Sequence, residues 1–294
     1  MSSRQSEAHS VCAVAVTYNP GSRFVENIVA VAAQVSHVVV VDNCSAGETE
    51  KWLRELETHL GCKVIRNQEN LGIAAALNLG VKYALEAGFD WVCTLDQDSR
   101  VSDGFILKML ETYRQSNEPE KIAVLAPTYR DRESGVDLRL KRSRNGQVLT
   151  AMTSGSIMPS SAIRKLGLFD ESLYIDAVDI EFCLRARRNG MLILQSPAGL
   201  LHSLGRTTYY QLFGLRVGVT NHSVGRRYYM TRNRLRLLVR YASDWSWTWQ
   251  ESRTMLLDAA KILLAEDNKW RKFRAMALGT IDALRGKVGK QVEL

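Results

Sequence analysis

The segment Asp90-Trp91-Val92-Cys93-Thr94-Leu95-Asp96-Gln97-Asp98-Ser99 runs a short apolar core into two carboxylates set one residue apart. Trp91 to Leu95 has the length and content of a strand buried on both faces, as in a parallel sheet covered by helices. Asp96 and Asp98 then fall at the carboxyl end of that strand. In open parallel sheets this is the edge where ligands bind. Two carboxylates at this spacing can hold one hard divalent cation, which keeps several waters and accepts substrate phosphates. The alternative, a cap for the next helix, is served better by Asp103, whose position predicts a helix running to about Gln115.

The same grammar extends in both directions. Val11 to Thr17 is β-branched, and Arg23 to Gln34 repeats apolar residues at helical spacing. His37 to Asp42 holds four consecutive valines, Glu48 to His59 is helical, Lys63 to Asn67 extended, and Ile73 to Glu86 helical with many alanines. This alternation predicts crossover units and an α/β fold: a mostly parallel, Rossmann-like sheet flanked by helices. Downstream, Ile122 to Ala126 reads as a strand and Tyr129 to Asn145 as a mobile loop or an excursion. Leu149 to Met158 is extended, Asp179 to Asn189 is a helix ended by Gly190, and Met191 to Gln195 is a last short strand. From about Tyr209 the pattern is helical throughout, with one interruption near Asp244, which predicts a C-terminal helical appendage. The expected organisation is a disordered N-terminus (1–10), a catalytic domain (11–205) and a helical region (206–294).

Composition narrows the classes. The chain has 294 residues, 46% hydrophobic and 24% charged, which suits one large domain with an appendage. Its five cysteines are odd in number and none stands at CxxC spacing. They are read as buried thiols in a reducing cytosol, against a disulfide framework or a zinc site. The first ten residues lack the apolar core of a secretory signal, and no apolar run reaches the roughly 20 residues of a membrane span. The expected location is therefore cytoplasmic. The net charge of +8 is uneven. Arg206, Arg216, Arg226, Arg227, Arg232, Arg234, Arg236 and Arg240 crowd one stretch, which suits nucleic acid, anionic lipid, a phosphate-bearing substrate or simply a solvated helix face.

Polar residues gather at the ends of the four predicted N-terminal strands: Thr17-Tyr18-Asn19-Pro20, Asp42-Asn43-Cys44-Ser45, Asn67 with Asn70-Leu71-Gly72, and Asp96-Gln97-Asp98-Ser99. Each alone is a common turn sequence. Four in register on one sheet edge describe a cleft. Asn78, further along the third helix, is either a ligand contact or an exposed helical asparagine.

These motifs resemble the family 2 glycosyltransferases of the GT-A fold, and within them the bacterial rhamnosyltransferases. The resemblance is carried by Val16 to Pro20, Val41 to Ser45, Asn70 to Asn78, Leu95 to Ser99, Gly167-Leu168-Phe169-Asp170-Glu171, Asp179 to Arg185, and His202-Ser203-Leu204-Gly205, in the family's order over residues 11–205. It implies an inverting enzyme that moves one sugar from a nucleotide-diphosphate donor to an acceptor hydroxyl in cell-surface polysaccharide, O-antigen or glycolipid synthesis. The Asp96-Gln97-Asp98-Ser99 form implies dTDP-β-L-rhamnose, with UDP-galactofuranose or UDP-glucose as the alternative donor. It further implies that Thr17, Tyr18, Asn19, Asp42, Asn70, Asn78, Asp96 and Gln97 bind the nucleotide sugar. Asp96 and Asp98 would hold Mg²⁺ or Mn²⁺, with His202 either completing the shell or standing outside it. Many relatives carry Glu-Asp ahead of the helical arginine where this chain has Val178-Asp179. The implied general base is Asp179, with Asp176 as the alternative.

The expected partners are the nucleotide sugar and a saccharide or lipid-linked saccharide acceptor, not nucleic acid. The arginines from Arg206 to Arg240 and the tryptophans from Trp245 onward fit contact with the inner face of a membrane, or ordinary helical packing with solvated arginines. A nucleic-acid-binding protein would leave Asp96 and Asp98 unexplained, and a scaffold without turnover would leave Asp179 so.

Overall fold

The computed structural model describes residues 10–203, 208–212 and 215–293, with backbone alone at 208–212 and 215–217. The chain divides into two compact units. One comprises the residues up to Glu171 together with Val178–Ser203; the other takes Ser172–Ala177 and the chain beyond Ser203.

The first unit is built on strands β1 (Val11–Thr17), β2 (His37–Asp42), β3 (Lys63–Arg66) and β4 (Trp91–Asp96), with helices α1 (Phe24–Ala32), α2 (Thr49–Leu60) and α3 (Ile73–Glu86) between them. β3-β2-β1-β4 pair in parallel, so all four carboxyl ends lie on one edge. All seven residues of β1 are buried, with alternate residues entering opposite faces of the sheet. Val11, Ala13 and Ala15 join Phe24, Ile28, Leu53 and Leu56 in one core. On α3, Gly80 permits close approach to β1: a Cβ there would lie 2.3 Å from Val14 Cγ1.

Beyond β4 the sheet continues with β7 (Ser156–Pro159), β6 (Ile122–Asp131), β8 (Leu192–His202) and β5 (Arg100–Val101). β7 runs antiparallel to both neighbours. β6 and β8 are longer than their apolar cores suggest, and pair in parallel from Ile122↔Leu192 to Asp131↔His202 with two register shifts. Those irregularities break the apolar alternation and hid the polar ends of both strands from the sequence reading. The stretch after β6 is a folded excursion, with antiparallel bridges Arg130↔Asp137 and Arg142↔Val148. Helix α4 (Phe105–Arg114) is not capped by Asp103. Gly104, at φ 66°, occupies the cap position, and the Phe105 N–H bonds to Ser102 O at 3.2 Å. Helices α5 (Ser160–Leu166) and α6 (Val178–Arg188) complete this unit.

The second unit does not become helical at Tyr209. A hairpin comes first, β9 (Thr208–Leu212) against β10 (Leu215–Val219), where β-branched and aromatic residues favour extended backbone. Helices α7 (Val224–Arg240), α8 (Trp245–Ala265) and α9 (Lys269–Leu284) follow, so a second break, at Glu266–Asn268, joins the one near Asp244. Ser223 caps α7 by accepting the Arg226 N–H at 3.1 Å. Gly279 lets α9 lie against α7, since a Cβ there would meet Tyr228 O at 2.7 Å. Residues 1–9, Leu204, Gly205 and Arg206 lie outside the described residues, so the expected disorder of the N-terminus and the end of the His202 motif do too.

Candidate active site

The four strand ends are tied to one another. Gln97 Oε1 accepts the Tyr18 N–H at 2.8 Å and the Thr17 hydroxyl at 3.1 Å, joining β1 to β4. Asn19 N–H donates to Ser45 Oγ at 2.8 Å, and Asn19 Oδ1 accepts the Ala46 N–H at 2.9 Å. Asn43 joins the end of β2 to the loop after β3, donating to Asn70 Oδ1 at 2.8 Å and accepting the Leu71 N–H at 3.0 Å. Asp42 uses Oδ2 to hold the Ser45 N–H at 3.0 Å, while its buried Oδ1 has no hydrogen-bond donor among the described residues. Leaving a buried carboxylate oxygen without a partner costs free energy, which a polar ligand group recovers.

Asp96, Asp98 and His202 converge at the rim. Their ligand atoms all lie within 4.8 Å of one another, the one such group of His, Cys, Asp and Glu among the described residues. His202 Nδ1 stands 3.5 Å from Asp98 Oδ1 and 2.7 Å from Ser99 Oγ. Ser154 donates to Ser99 at 2.6 Å and accepts the Asp96 N–H at 3.1 Å. The buried Ser99–Ser154 pair therefore holds the His202 ring and the backbone of Asp96. Asp98 Oδ1 is screened from solvent and has no hydrogen-bond donor among the described residues. Two carboxylates and an imidazole, one oxygen unsatisfied, fit a divalent cation that also takes phosphate oxygens.

Asp179 lies in the first turn of α6, with Oδ1 accepting the Ile180 N–H at 2.8 Å. It lines a small cavity with Thr94, Met152, Thr153, Phe169 and Phe182, so its surroundings reach the residues just before Asp96 on β4. Asp176 is engaged otherwise: Arg226 grips it at 3.1 Å within the second unit. Glu181, fully buried, pairs with Arg185 at 2.9 Å. Arg185 also holds Leu166 O and Leu168 O, at 2.7 and 2.8 Å.

Some expectations change. Asn78 is neither an exposed asparagine nor a side chain with donors to spare. Its amide donates to Phe169 O at 2.9 Å and Glu171 Oε1 at 2.8 Å, and accepts the Phe169 N–H at 2.9 Å. It ties the 169–171 loop to α3. Cys44 is exposed, while the other four cysteines are buried and burial pushes their thiols up, to about 11 for Cys62 and about 12 for Cys12, Cys93 and Cys183. The arginine cluster is a solvated face only in part: Arg226 and Arg240 are exposed, whereas Arg227 and Arg232 are buried and Arg234 pairs with Glu251 and Asp258 at 3.0 and 2.9 Å. Arg216 sits on β10 with its side chain undescribed.

Arg132, in the stretch that reads from sequence as an excursion, is a further candidate for the site because it lies beside His202 and Asp98. Its guanidinium donates to Asn27 Oδ1 at 3.0 Å, its buried Nε has no acceptor among the described residues, and the backbone N–H bonds to His202 O at 3.0 Å. Burial, with Arg23 and Arg100 nearby, lowers its pKa, and Asp98 opposes them.

The fold is shared with solved glycosyltransferases. The structure resembles mannosyltransferase PcManGT from Pyrobaculum calidifontis, solved in complex with GDP-Man and Mn²⁺ (TM-score 0.59, 17% identity, 95% of this chain and 76% of that one). It also resembles S. aureus TarS in complex with UDP-GlcNAc (TM-score 0.53, 17% identity, 94% and 73%). The fold is therefore of the GT-A class. The family model Glycosyl transferase family 2 matches residues 12–170, and the chain belongs to that family. Among curated relatives it is 32% identical to dTDP-rhamnosyl transferase RfbF of Shigella flexneri, over 95% of this chain and 97% of that one. It is 25% identical to galactofuranosyltransferase GlfT1 of Mycolicibacterium smegmatis, over 78% and 82%.

Proposed function

We propose that this enzyme transfers L-rhamnose from dTDP-β-L-rhamnose to a hydroxyl of a saccharide or lipid-linked saccharide, with inversion to an α-L-rhamnoside. The observation that carries the donor is the similarity to the Shigella rhamnosyl transferase over nearly the whole of both chains. The galactofuranosyl relatives are less similar and cover less.

In this reading Thr17, Tyr18, Asn19 and Asp42 receive the nucleoside, and Asn70 and Gln97 keep the strand ends in register around it. Asp96, Asp98 and His202 hold Mg²⁺ or Mn²⁺, which when bound neutralises charge on the departing diphosphate. Arg132, beside Asp98, donates to the same diphosphate. Asp179 takes the proton from the acceptor hydroxyl as its oxygen attacks the anomeric carbon, in one displacement. Asp176 is disfavoured as the base because Arg226 already neutralises it. The reading places the reaction at the cytoplasmic face of the inner membrane, where donor and lipid-linked acceptor meet.

A panel of dTDP-, UDP- and GDP-sugars, followed by thermal shift and by sugar hydrolysis with and without Mn²⁺, tests the donor. The dTDP-rhamnose reading requires the largest shift and fastest hydrolysis with that sugar. UDP-sugars binding at least as tightly would reject it and leave the family assignment standing.

A further inference from the structure

Helices α8 and α9 each expose a stripe of large apolar side chains. On α8 the inward positions include Glu251, only 1% exposed, and Asp258, both paired with Arg234. Outward, Trp245, Trp249, Leu256 and Leu263 recur at i, i+4, i+11 and i+18, one stripe of the helix, and are 71, 62, 73 and 60% exposed. On α9 the inward positions are Lys272, Gly279 and Asp282, with Lys272 bonded to the buried Glu266 at 2.8 Å. Outward stand Trp270 and Leu284, each 83% exposed, with Ile281 between them on the same stripe. Both helices thus bury acidic or basic groups, beside Trp247 and Ile262 on α8, and still turn a stripe of large apolar side chains outward. Continuous apolar exposure of this kind marks a surface that meets something.

The charges beside the stripes identify the partner. Arg253 lies one turn from Trp249, Arg274 one turn from Trp270, and Arg285 one turn from Ile281, while Lys269 and Arg271 flank Trp270; all five are exposed. Asp267, the exposed acid among them, is held by Asn221 at 2.7 Å. The apolar stripes thus carry a cationic border. A second copy of the chain would bring the same border and be repelled. An anionic bilayer matches both features, taking tryptophan and leucine at the headgroup–acyl boundary and arginine and lysine at the phosphates. No helix among the described residues is long and apolar enough to cross a membrane, so these helices would lie in the interface plane.

We infer that the outward faces of α8 and α9 form a docking surface for an anionic lipid bilayer. This moves the contact away from the arginines of α7, which are engaged within the second unit. The inference deepens the reading of a lipid-linked acceptor and rests on it for its purpose, but vesicle binding is read without donor or acceptor.

The test is flotation of the purified full chain with vesicles of phosphatidylcholine alone or mixed with phosphatidylglycerol. The wild type is expected to float with the mixed vesicles at low salt and to be released as salt rises. Trp249→Ser with Trp270→Ser should lower partitioning by about tenfold or more. Arg271→Glu with Arg274→Glu should abolish the preference for anionic vesicles. Melting curves confirm that these variants fold, and Leu284→Ser alone, with a smaller loss, provides a second route. Failure of the wild type to float, or flotation unchanged by the tryptophan pair, overturns the inference. So does a dimer that the tryptophan pair dissolves without any vesicle binding. Donor hydrolysis without vesicles should be equal in all these chains. Its absence throughout would reject the transferase reading and leave the lipid surface standing.

Discussion

At the level of single residues, the site separates groups that meet ligand from groups that hold them. Asp98 reaches the rim with an oxygen that has no donor among the described residues, so on the proposed reading Asp98→Ala removes a metal ligand and relieves a buried polar atom at once. The variant should melt at or above the wild-type temperature and lose turnover. Ser99 acts one step back, through His202 Nδ1 at 2.7 Å. Loss of such a partner costs roughly 10–100-fold in metal affinity. Ser99→Ala should therefore need roughly tenfold more Mn²⁺ for half-maximal activity, with its rate at saturating metal largely kept. An unchanged Mn²⁺ requirement would show that Ser99 only packs. Asp179→Asn separates base from cap, because asparagine caps a helix nearly as well but cannot take the proton. Transfer should fall about 10²–10⁴-fold with melting temperature and donor affinity kept. Near wild-type transfer there, with Asp176→Asn inactive, would assign the base to Asp176.

At the level of elements, the segment before α6 gathers three left-handed residues other than glycine within four positions. Tyr174, Asp176 and Ala177 all have left-handed φ, at 65, 61 and 65°. Non-glycine residues there cost about 1–3 kcal/mol each and persist only where their surroundings enforce them. Asn233 supplies that enforcement: its buried amide donates to Leu173 O, Ile175 O and Asp176 O at 2.8, 2.7 and 3.0 Å. Arg232 adds a fourth bond, to Leu173 O at 3.1 Å. Asn233→Ala removes three of these bonds and leaves Leu173 O to Arg232, so it should lower the melting temperature and slow transfer more than it weakens donor binding. Donor affinity lost in step with transfer would contradict that role. His222, at the entry to α7, gives a pH signature. Burial first, then Arg226 and Arg227, lower its pKa from 6.5 to about 4, against Asp176 and Glu266. Between these values the unfolded chain takes up a proton that the folded chain refuses. Stability should thus be whole above pH 6.5 and decline toward pH 4, and His222→Gln should flatten that part of the melting curve.

At the level of the whole molecule, legibility followed periodicity. β1, β2 and α3 stand where the sequence put them, because runs such as Val38 to Val41 and Ala74 to Leu77 admit one burial pattern each. β6 and β8 were read short because their register shifts interrupt the alternation. That error hid Arg132, which follows the polar end of β6. The hairpin before α7 was read as helix because Tyr209, Tyr210 and Leu212 also fit a helical stripe, and only pairing with β10 decides it. The arginines of α7 were read as surface because composition cannot show that Glu251, Asp258 and Glu266 meet them inside. Of the candidate site, the carboxylate pair was legible as spacing and His202 only through the family resemblance, whereas the bonds of Asn78 and Ser99 needed coordinates.

The central claim is metal-dependent turnover of dTDP-β-L-rhamnose by the Asp96–Asp98–His202 site. It is tested most directly by the rate of dTDP release from that sugar in Mn²⁺, in chelator and after metal is restored, for wild type and Asp98→Ala. The account predicts release that chelator abolishes and Mn²⁺ or Mg²⁺ restores, with none from Asp98→Ala under any condition. Undiminished release in chelator, or full release by Asp98→Ala, would contradict it.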